Sequence, residues 1–166
     1  KIILPRLYLF IFILFHILCV FGSSVLRDKI SSNLPVNEED TLQSAVDGLV
    51  AKGYSAHGRI CDISDRNQVE ELASGVFEEF GAVHFLANNA GVVTRHKSWK
   101  SLDDWDWVLG VDLMGVIYGV HSFVPRMLES GESGHVMNTA STAGLLAFPS
   151  IGSYNVAKRG VVALTE

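Results

Sequence analysis

Near the end of the sequence a tyrosine and a lysine stand four residues apart, at Tyr154 and Lys158. In a helix this spacing places both side chains on one face, one turn apart. An isolated phenol keeps its proton up to about pH 10, but a neighbouring ammonium favours the phenolate. Such a pair can exchange a proton with an alcohol or carbonyl oxygen near neutral pH. Taken alone, the same spacing more often marks an ordinary half-exposed helix face, so the surrounding residues must decide.

Polar or small residues follow three predicted strands upstream of this pair. Asp62 comes after one strand, Asn-Asn-Ala-Gly at residues 88–91 after the next, and Ser141 after a third. In an open parallel sheet, ligands bind beyond the carboxyl ends of the strands. The sequence therefore predicts that these three segments line one edge of the sheet, and that a loop carries the Ser141 hydroxyl back towards Tyr154.

Helices and strands alternate from residue 38 to the end of the sequence. Apolar residues recur at helical spacing in residues 42–50 and 69–80, and Gly53 and Gly81 follow them as stop signals. The predicted helices are residues 38–50, 69–80, 102–128 and a last helix from residue 153. The predicted strands are residues 54–61, 83–86 and 134–139. This alternation predicts the α/β class, with a doubly wound parallel sheet covered by helices on both faces.

The first 37 residues have a different character. Residues 2–21 are almost wholly apolar, with Arg6 and His16 as polar interruptions, and their length fits a membrane-spanning helix. A membrane span, the core of a signal peptide, a buried parallel strand within residues 7–14 and a start that is not native to the protein all remain open. We predict a hydrophobic segment over residues 1–22 and a linker over residues 23–37.

Composition excludes several classes of function. The 166 residues are enough for one domain with a core, and the net charge of −5 argues against a nucleic-acid partner. The two cysteines, Cys19 and Cys61, lie far apart and form no disulfide framework. The six histidines show no ligand spacing, so we predict no metal site.

Taken together, Asp62, the Asn-Asn-Ala-Gly segment, Ser141 and the Tyr154/Lys158 pair resemble the short-chain dehydrogenase/reductase family over residues 38–166. The resemblance implies a Rossmann-like fold and a partial dinucleotide-binding and catalytic domain. It implies hydride transfer between NAD or NADP and a small-molecule alcohol or carbonyl substrate.

The resemblance also implies a role for each matching residue. Tyr154 would be the general acid and base, Lys158 would support it, and Ser141 would bind the substrate oxygen. The implied catalytic set is Ser141, Tyr154, Lys158 and Asp112. The implied cofactor contacts are Asp62 and Ile63 at the adenine, then Asn88, Asn89, Ala90 and Gly91, and finally Tyr154 and Lys158.

The sequence departs from the family at Asp112. The family usually has an asparagine in the long helix, where this sequence has Val-Asp-Leu. A carboxylate there would stabilise the Lys158 ammonium and partly offset its effect on Tyr154. We therefore expect the basic limb of the pH–rate profile to lie at higher pH than with asparagine.

A second departure concerns the start of the fold. The family opens with a Thr-Gly-x-x-x-Gly-x-Gly turn that binds pyrophosphate, whereas Gly22 is the only glycine in residues 1–37. The residue that would distinguish NAD from NADP is missing as well. We therefore predict an incomplete fold, which lacks the first βαβ unit with its glycine-rich turn and the C-terminal strands.

Partners and rival functions follow from these observations. The resemblance implies a homo-oligomer, paired through the long helix over residues 102–128 and the tyrosine-bearing helix, and the nearly all-round apolar long helix agrees with this. One rival is a catalytically silent, membrane-tethered relative that acts only through subunit pairing. A serine hydrolase built on Ser141 is disfavoured because the sequence lacks Gly-x-Ser-x-Gly. The expected location is cytoplasmic, or membrane-anchored if residues 2–21 span a membrane.

Overall fold

A computed structural model describes residues 8–13, 17–21, 38–95 and 97–166 of the chain. Among these residues it has five strands and five α-helices. The strands are β1 (Tyr8–Ile13), β2 (Ile17–Phe21), β3 (Ala56–Cys61), β4 (Phe85–Asn88) and β5 (His135–Asn138). The α-helices are α1 (Glu38–Val50), α2 (Arg66–Phe80), α3 (Leu102–Leu109), α4 (Gly115–Glu129) and α5 (Gly152–Thr165). A π-helical turn, Gly110–Met114, joins α3 to α4, and a 3₁₀ turn, Thr142–Gly144, follows β5.

The five strands form one sheet in the order β3-β1-β2-β4-β5. Strand β4 pairs in parallel with β2 and with β5, which confirms the predicted doubly wound parallel arrangement in this part of the sheet. Strand β1 is antiparallel to both of its neighbours, β2 and β3. The sheet is therefore Rossmann-like on the side that carries the candidate site, with one reversed strand near the other side.

Strands β1 and β2 lie within the apolar segment at residues 2–21. The expectation of a strand within residues 7–14 is right about the strand, but the parallel direction is wrong because β1 runs antiparallel. Residues 1–7, 14–16 and 22–37, which include the predicted linker, lie outside the described residues. The membrane and signal interpretations of residues 2–21 stay predictions.

Helix α2 shows how local sequence sets the limits of an element. Asp65 caps its start by accepting a hydrogen bond from the Asn67 amide at 2.8 Å. Gly81 ends it with a φ of 76° and donates its amide to the Phe77 carbonyl at 2.9 Å. The predicted apolar stripe is confirmed as the buried face, which comprises Val69, Leu72, Ala73 and Val76.

The long apolar helix is confirmed in extent, from Leu102 to Glu129, but it is not uniformly α-helical. By length and hydropathy this helix could cross a membrane. However, 44% of its apolar 18-residue stretch is buried inside the protein, and a core helix of an α/β fold has the same length and hydropathy. Val108, Val111 and Phe123 are almost completely buried. These side chains form the core together with the face of α2 and with Leu86 of β4.

Cys61, the last residue of β3, is buried in this core as a free thiol. Burial raises the pKa of its thiol to about 12, and the neighbouring Asp62 adds to the shift. The thiol is therefore protonated at neutral pH and unsuited to nucleophilic chemistry.

Candidate active site

Helix α5 carries both members of the tyrosine–lysine pair, as the spacing predicts. Ala157 and Val161 are completely buried and seat the helix against the core. Lys158 is buried on the same side, while Tyr154 stays partly exposed. The Lys158 ammonium nitrogen lies 5.7 Å from the centre of the Tyr154 ring. The helix thus holds a cation beside a phenol that solvent can still reach.

The Lys158 ammonium is tied down by two partners from other elements. Its Nζ atom donates a hydrogen bond to the carbonyl oxygen of Thr139 at 2.9 Å and lies 3.4 Å from Oδ2 of Asp112. The side chains of Lys158 and Asp112 are 3% and 0% exposed, so water screens this ion pair very little. Two charges removed from water in this way are tolerated only when they face each other.

Asp112 is held on its other side by the loop after β4. The Val92 amide donates to Oδ1 at 2.7 Å, whereas Oδ2 makes no well-formed hydrogen bond with any described residue. The Lys158 ammonium lies 3.4 Å from Oδ2 and balances its negative charge. The shorter contact of the ammonium is its hydrogen bond to the Thr139 carbonyl. Burial raises the pKa of Asp112 to about 6, although the Lys158 charge and the Val92 amide both oppose the shift.

Asp112 reaches this position from the π-helical turn. Glycines stand at the start of the turn and directly after it, at Gly110 and Gly115. A side chain at Gly115 would place its Cβ 2.8 Å from Cδ1 of Ile63, and one at Gly110 would lie 3.3 Å from the Ser64 side chain. The two glycines therefore let the turn approach the loop after β3. π-Helical turns are rare in proteins, and those that occur frequently lie at functional sites. The sequence does not predict this one.

The Asn-Asn-Ala-Gly segment braces the ends of β4 and β5. Asn88 donates its side-chain amide to Oδ1 of Asn138 at 2.8 Å, and the Thr139 hydroxyl donates to Oδ1 of Asn89 at 2.8 Å. The Thr139 amide also donates to the Asn88 carbonyl at 3.0 Å. A side chain at Gly119 of α4 would come within 2.2 Å of Asn88 Oδ1, so the glycine makes room for the asparagine. The cofactor contacts of this segment stay predictions.

Gly91, the last residue of the segment, lies against the buried ion pair. A Cβ atom there would stand 3.3 Å from Oδ2 of Asp112 and 3.5 Å from Nζ of Lys158. Ala90, the preceding residue, is buried in the core. The backbone of the loop therefore passes directly over the two charged groups, which only a residue without a bulky side chain permits.

Asp62 and Ile63 form the turn after β3. Oδ1 of Asp62 accepts hydrogen bonds from the Ser64 amide at 2.9 Å and the Ser64 hydroxyl at 2.6 Å. The Asp62 amide donates to the Gln68 side chain at 2.9 Å. The Ile63 side chain is buried against Gly115, so any adenine contact of Ile63 must use its backbone.

Ser141 begins the 3₁₀ turn after β5. Its hydroxyl oxygen accepts a hydrogen bond from the Ala143 amide at 3.2 Å, which leaves the hydroxyl hydrogen available for another partner. Gly144 rests on α5, because a Cβ atom there would lie 2.6 Å from the Lys158 carbonyl oxygen. The serine is therefore attached, through a short turn, to the helix that carries Tyr154.

The structure thus brings Lys158 and Asp112 into contact, with Gly91 close to both and Tyr154 beside Lys158. Sequence reasoning missed Thr139 and Val92, which act through a backbone carbonyl and a backbone amide. Such groups leave no mark in the residue types. Among the described residues there is no cluster of three or more potential metal ligands.

Comparison with known proteins identifies the family. A family model described as short chain dehydrogenase matches residues 28–166. The C alpha-dehydrogenase of Sphingobium sp. strain SYK-6 is 39% identical over 129 residues, which cover 76% of this chain and 42% of that protein.

Two solved structures share the fold. A short chain dehydrogenase/reductase from Burkholderia phymatum, solved in complex with NAD, is 51% identical with a TM-score of 0.61, over 63% of this chain and 38% of that one. The apo form of LigD from Sphingobium sp. strain SYK-6 is 37% identical with a TM-score of 0.73, over 76% of this chain and 55% of that one. The present chain therefore spans between 38% and 55% of the length of these relatives. Because the family model matches most of the sequence, the chain belongs to the short-chain dehydrogenase family.

Proposed function

We propose that the protein is an oxidoreductase that transfers a hydride between NAD or NADP and a small alcohol or carbonyl compound, with Tyr154 as general acid and base. The observation that carries the proposal is the buried Lys158 ammonium, 5.7 Å from the centre of the Tyr154 ring. Membership of the family supports the reaction class, and the relative solved with NAD supports the cofactor. Because the chain spans about half the length of its relatives, the activity is proposed for the whole protein.

The chain's own residues account for the proton side of the reaction. When a carbonyl is reduced, the Tyr154 hydroxyl gives its proton to the substrate oxygen, and the Lys158 ammonium stabilises the phenolate that remains. When an alcohol is oxidised, the phenolate takes that proton back. The hydroxyl hydrogen of Ser141 is donated to the same substrate oxygen and orients it. A bound nicotinamide supplies or accepts the hydride.

The described residues fit the two ends of such a cofactor. Lys158 would hold the ribose at the nicotinamide end, and Gly91, which lies close to Lys158, has no side chain to obstruct it. At the other end, the Asp62 carboxylate and the Ile63 backbone would contact the adenine. Residues 1–37 contain a single glycine, so no residue of this chain is assigned to the pyrophosphate.

The test is a binding and turnover experiment on the purified protein. NADH and NADPH are titrated by fluorescence, and oxidation of a panel of secondary alcohols with NAD⁺ or NADP⁺ as the hydride acceptor is then followed. We expect Tyr154→Phe to lower kcat by about 10²–10⁴-fold with a much smaller change in cofactor affinity, because the phenol serves proton transfer and is only one of several implied cofactor contacts. Val156→Ala, at the exposed neighbouring position, is the control. Turnover that survives Tyr154→Phe, or a wild-type protein that binds neither nucleotide, would reject the proposal.

Asp112 provides a second test of the same mechanism. Its carboxylate lies 3.4 Å from the Lys158 ammonium and offsets part of the cation's effect on the phenol. In Asp112→Asn the uncompensated ammonium favours the phenolate more strongly. We therefore expect the basic limb of the kcat/KM profile to move to lower pH, and an unmoved limb would refute the role given to Asp112.

We also infer that the protein forms a homo-oligomer through α3, α4 and α5. Large apolar side chains on these helices are exposed, including Leu102, Leu128 and Leu164. Apolar surface of this kind is stabilised when a second subunit covers it. Light scattering should give a dimer or larger assembly, and charge substitutions at Leu128 and Leu164 should weaken it. A monomer at all concentrations would contradict the inference.

A further inference from the structure

The segment between Ser141 and Tyr154 is exposed for much of its length. After the 3₁₀ turn, residues 145–150 all face solvent and form no regular element. Ser150 has a φ of 66°, in the left-handed region that non-glycine residues seldom adopt. A loop of this kind needs hydrogen bonds to a neighbouring element if Ser141 and Tyr154, at its two ends, are to keep a constant separation.

Asn155, the residue after Tyr154, makes such hydrogen bonds. Its side-chain amide donates to the Phe148 carbonyl at 2.8 Å, and its Oδ1 accepts from the Phe148 amide at 3.2 Å. One side chain therefore pairs both backbone groups of one loop residue, as a neighbouring strand would do. The Asn155 backbone amide also donates to the Ile151 carbonyl at 2.9 Å, so the loop is tied to the first turn of α5.

A second side chain from the same helix holds the beginning of the loop. Arg159, one turn after Asn155, donates to the Leu145 carbonyl at 3.0 Å. Leu145 is the residue after the 3₁₀ turn that Ser141 caps. Helix α5, which carries Tyr154 and Lys158, is therefore hydrogen-bonded to the loop after Ser141 at two residues, Leu145 and Phe148.

We propose that Asn155 is a positioning residue that, with help from Arg159, sets the separation of Ser141 and Tyr154 by fastening the loop between them to α5. This inference rests on the proposed function, because it presumes that both residues act on one substrate oxygen. Hydrogen bonding and proton transfer to that oxygen require heavy-atom distances of about 2.6–3.2 Å, and a displacement of about 1 Å can lower the rate about 10²-fold.

The chemistry of the contact predicts how substitutions rank. Asparagine offers one donor and one acceptor to Phe148. Asn155→Asp keeps the acceptor and loses the donor, whereas Asn155→Leu loses both at similar volume. We expect kcat to fall about 10–100-fold in Asn155→Leu and by less in Asn155→Asp. The pH profile of Asn155→Leu should be unchanged, because Tyr154 and Lys158 stay in place and no charge is added. Val156→Ala is the matched control on the same helix.

Amide hydrogen exchange of Phe148, measured by NMR without cofactor, provides the readout that is independent of activity. Its amide should be protected in the wild type, less protected in Asn155→Asp and unprotected in Asn155→Leu. The proposal is overturned if Phe148 exchange is the same in all three proteins, or if exchange changes while kcat stays within twofold. A parallel Tyr154→Phe assay separates the two hypotheses. Turnover that survives in this variant rejects the proposed function, whereas its loss beside fully active Asn155 variants rejects the positioning role alone.

Discussion

Two ion pairs of this molecule lie in contrasting surroundings, one at the surface and one in the interior. On the surface, Arg59 of β3 and Glu79 of α2 approach to 2.5 Å with side chains 43% and 38% exposed, and His57 stands 3.4 Å from the same carboxylate. In the interior, Lys158 and Asp112 are farther apart, at 3.4 Å, but almost completely buried. Removing one partner should cost more free energy of unfolding in the second pair than in the first, because it would leave a single charge in an interior from which water is excluded.

This contrast also separates structure from function. The surface pair joins a strand to the helix that packs beside it, and its loss leaves both charges in water. The interior pair places a cation beside Tyr154, with Gly91 passing directly over it. Burying the charges of Lys158 and Asp112 costs free energy, and these charges lie where proton transfer is proposed. Such buried charges are frequent at active sites.

The largest effect should come from removing the positive charge of the interior pair. Lys158→Met leaves Asp112 buried without its counter-charge, and we expect a loss of about 3–5 kcal/mol in the free energy of unfolding at pH 7. Urea denaturation measures this loss. Because the Lys158 charge holds the Asp112 pKa down, the unpaired carboxylate should take up a proton more readily, so part of the stability should return at acid pH. A loss below about 1 kcal/mol would mean that the interior pair behaves like a surface pair.

A smaller, pH-dependent effect should follow from Asp112→Asn. The folded-state pKa of Asp112, about 6, lies above its ordinary value of 3.8, so the folded protein binds the proton more tightly than the unfolded chain does. The stability contributed by this proton is present below about pH 4 and is lost as the pH rises through about 6.

The measurement compares wild type with Asp112→Asn by urea denaturation at several pH values. The wild type should lose about 2–3 kcal/mol relative to the variant between about pH 4 and pH 7, since one pKa unit corresponds to 1.36 kcal/mol. Using the difference cancels the titration of groups that are distant from Asp112. A difference that is flat over this range would show that Asp112 stays ionised in the folded protein.

The smallest effect should come from the surface pair. Arg59→Met should change the free energy of unfolding by about 0.2–1 kcal/mol, and 1 M salt should remove most of that difference because exposed charges are screened. The same salt should leave the Lys158→Met effect almost unchanged. If salt weakened both effects equally, the distinction between the two pairs would fail.

Much of the fold could be predicted from local sequence. The apolar stripe of α2 and its terminal Gly81 predict one element, and the structure confirms it within a few residues and adds the cap at Asp65. The pairing of β4 with β2 and β5 agrees with the predicted parallel sheet. The direction of β1 could not be predicted, because an apolar segment contains no signal for which neighbouring strand it will join.

The candidate site divides in the same way. The spacing of Tyr154 and Lys158 predicts that they share a helix face, and α5 confirms this. The π-helical turn at Asp112 interrupts a segment whose residue pattern predicts a continuous helix. At Gly110 and Gly115 the turn packs against the loop after β3, a contact between distant segments that no local pattern encodes.

By itself the sequence determined the class of the fold, the family and the side chains available for chemistry, because these depend on residue types and on spacings within one element. Only the tertiary structure decided that Lys158 would face Asp112 and the Thr139 carbonyl, that the Val92 amide would hold the carboxylate, and that Asn155 would fasten the loop after Ser141. The interior contacts join different strands, loops and helices and form only when the sheet brings those elements to one edge. Their strength depends on burial, which is a property of the packed molecule and not of the chain.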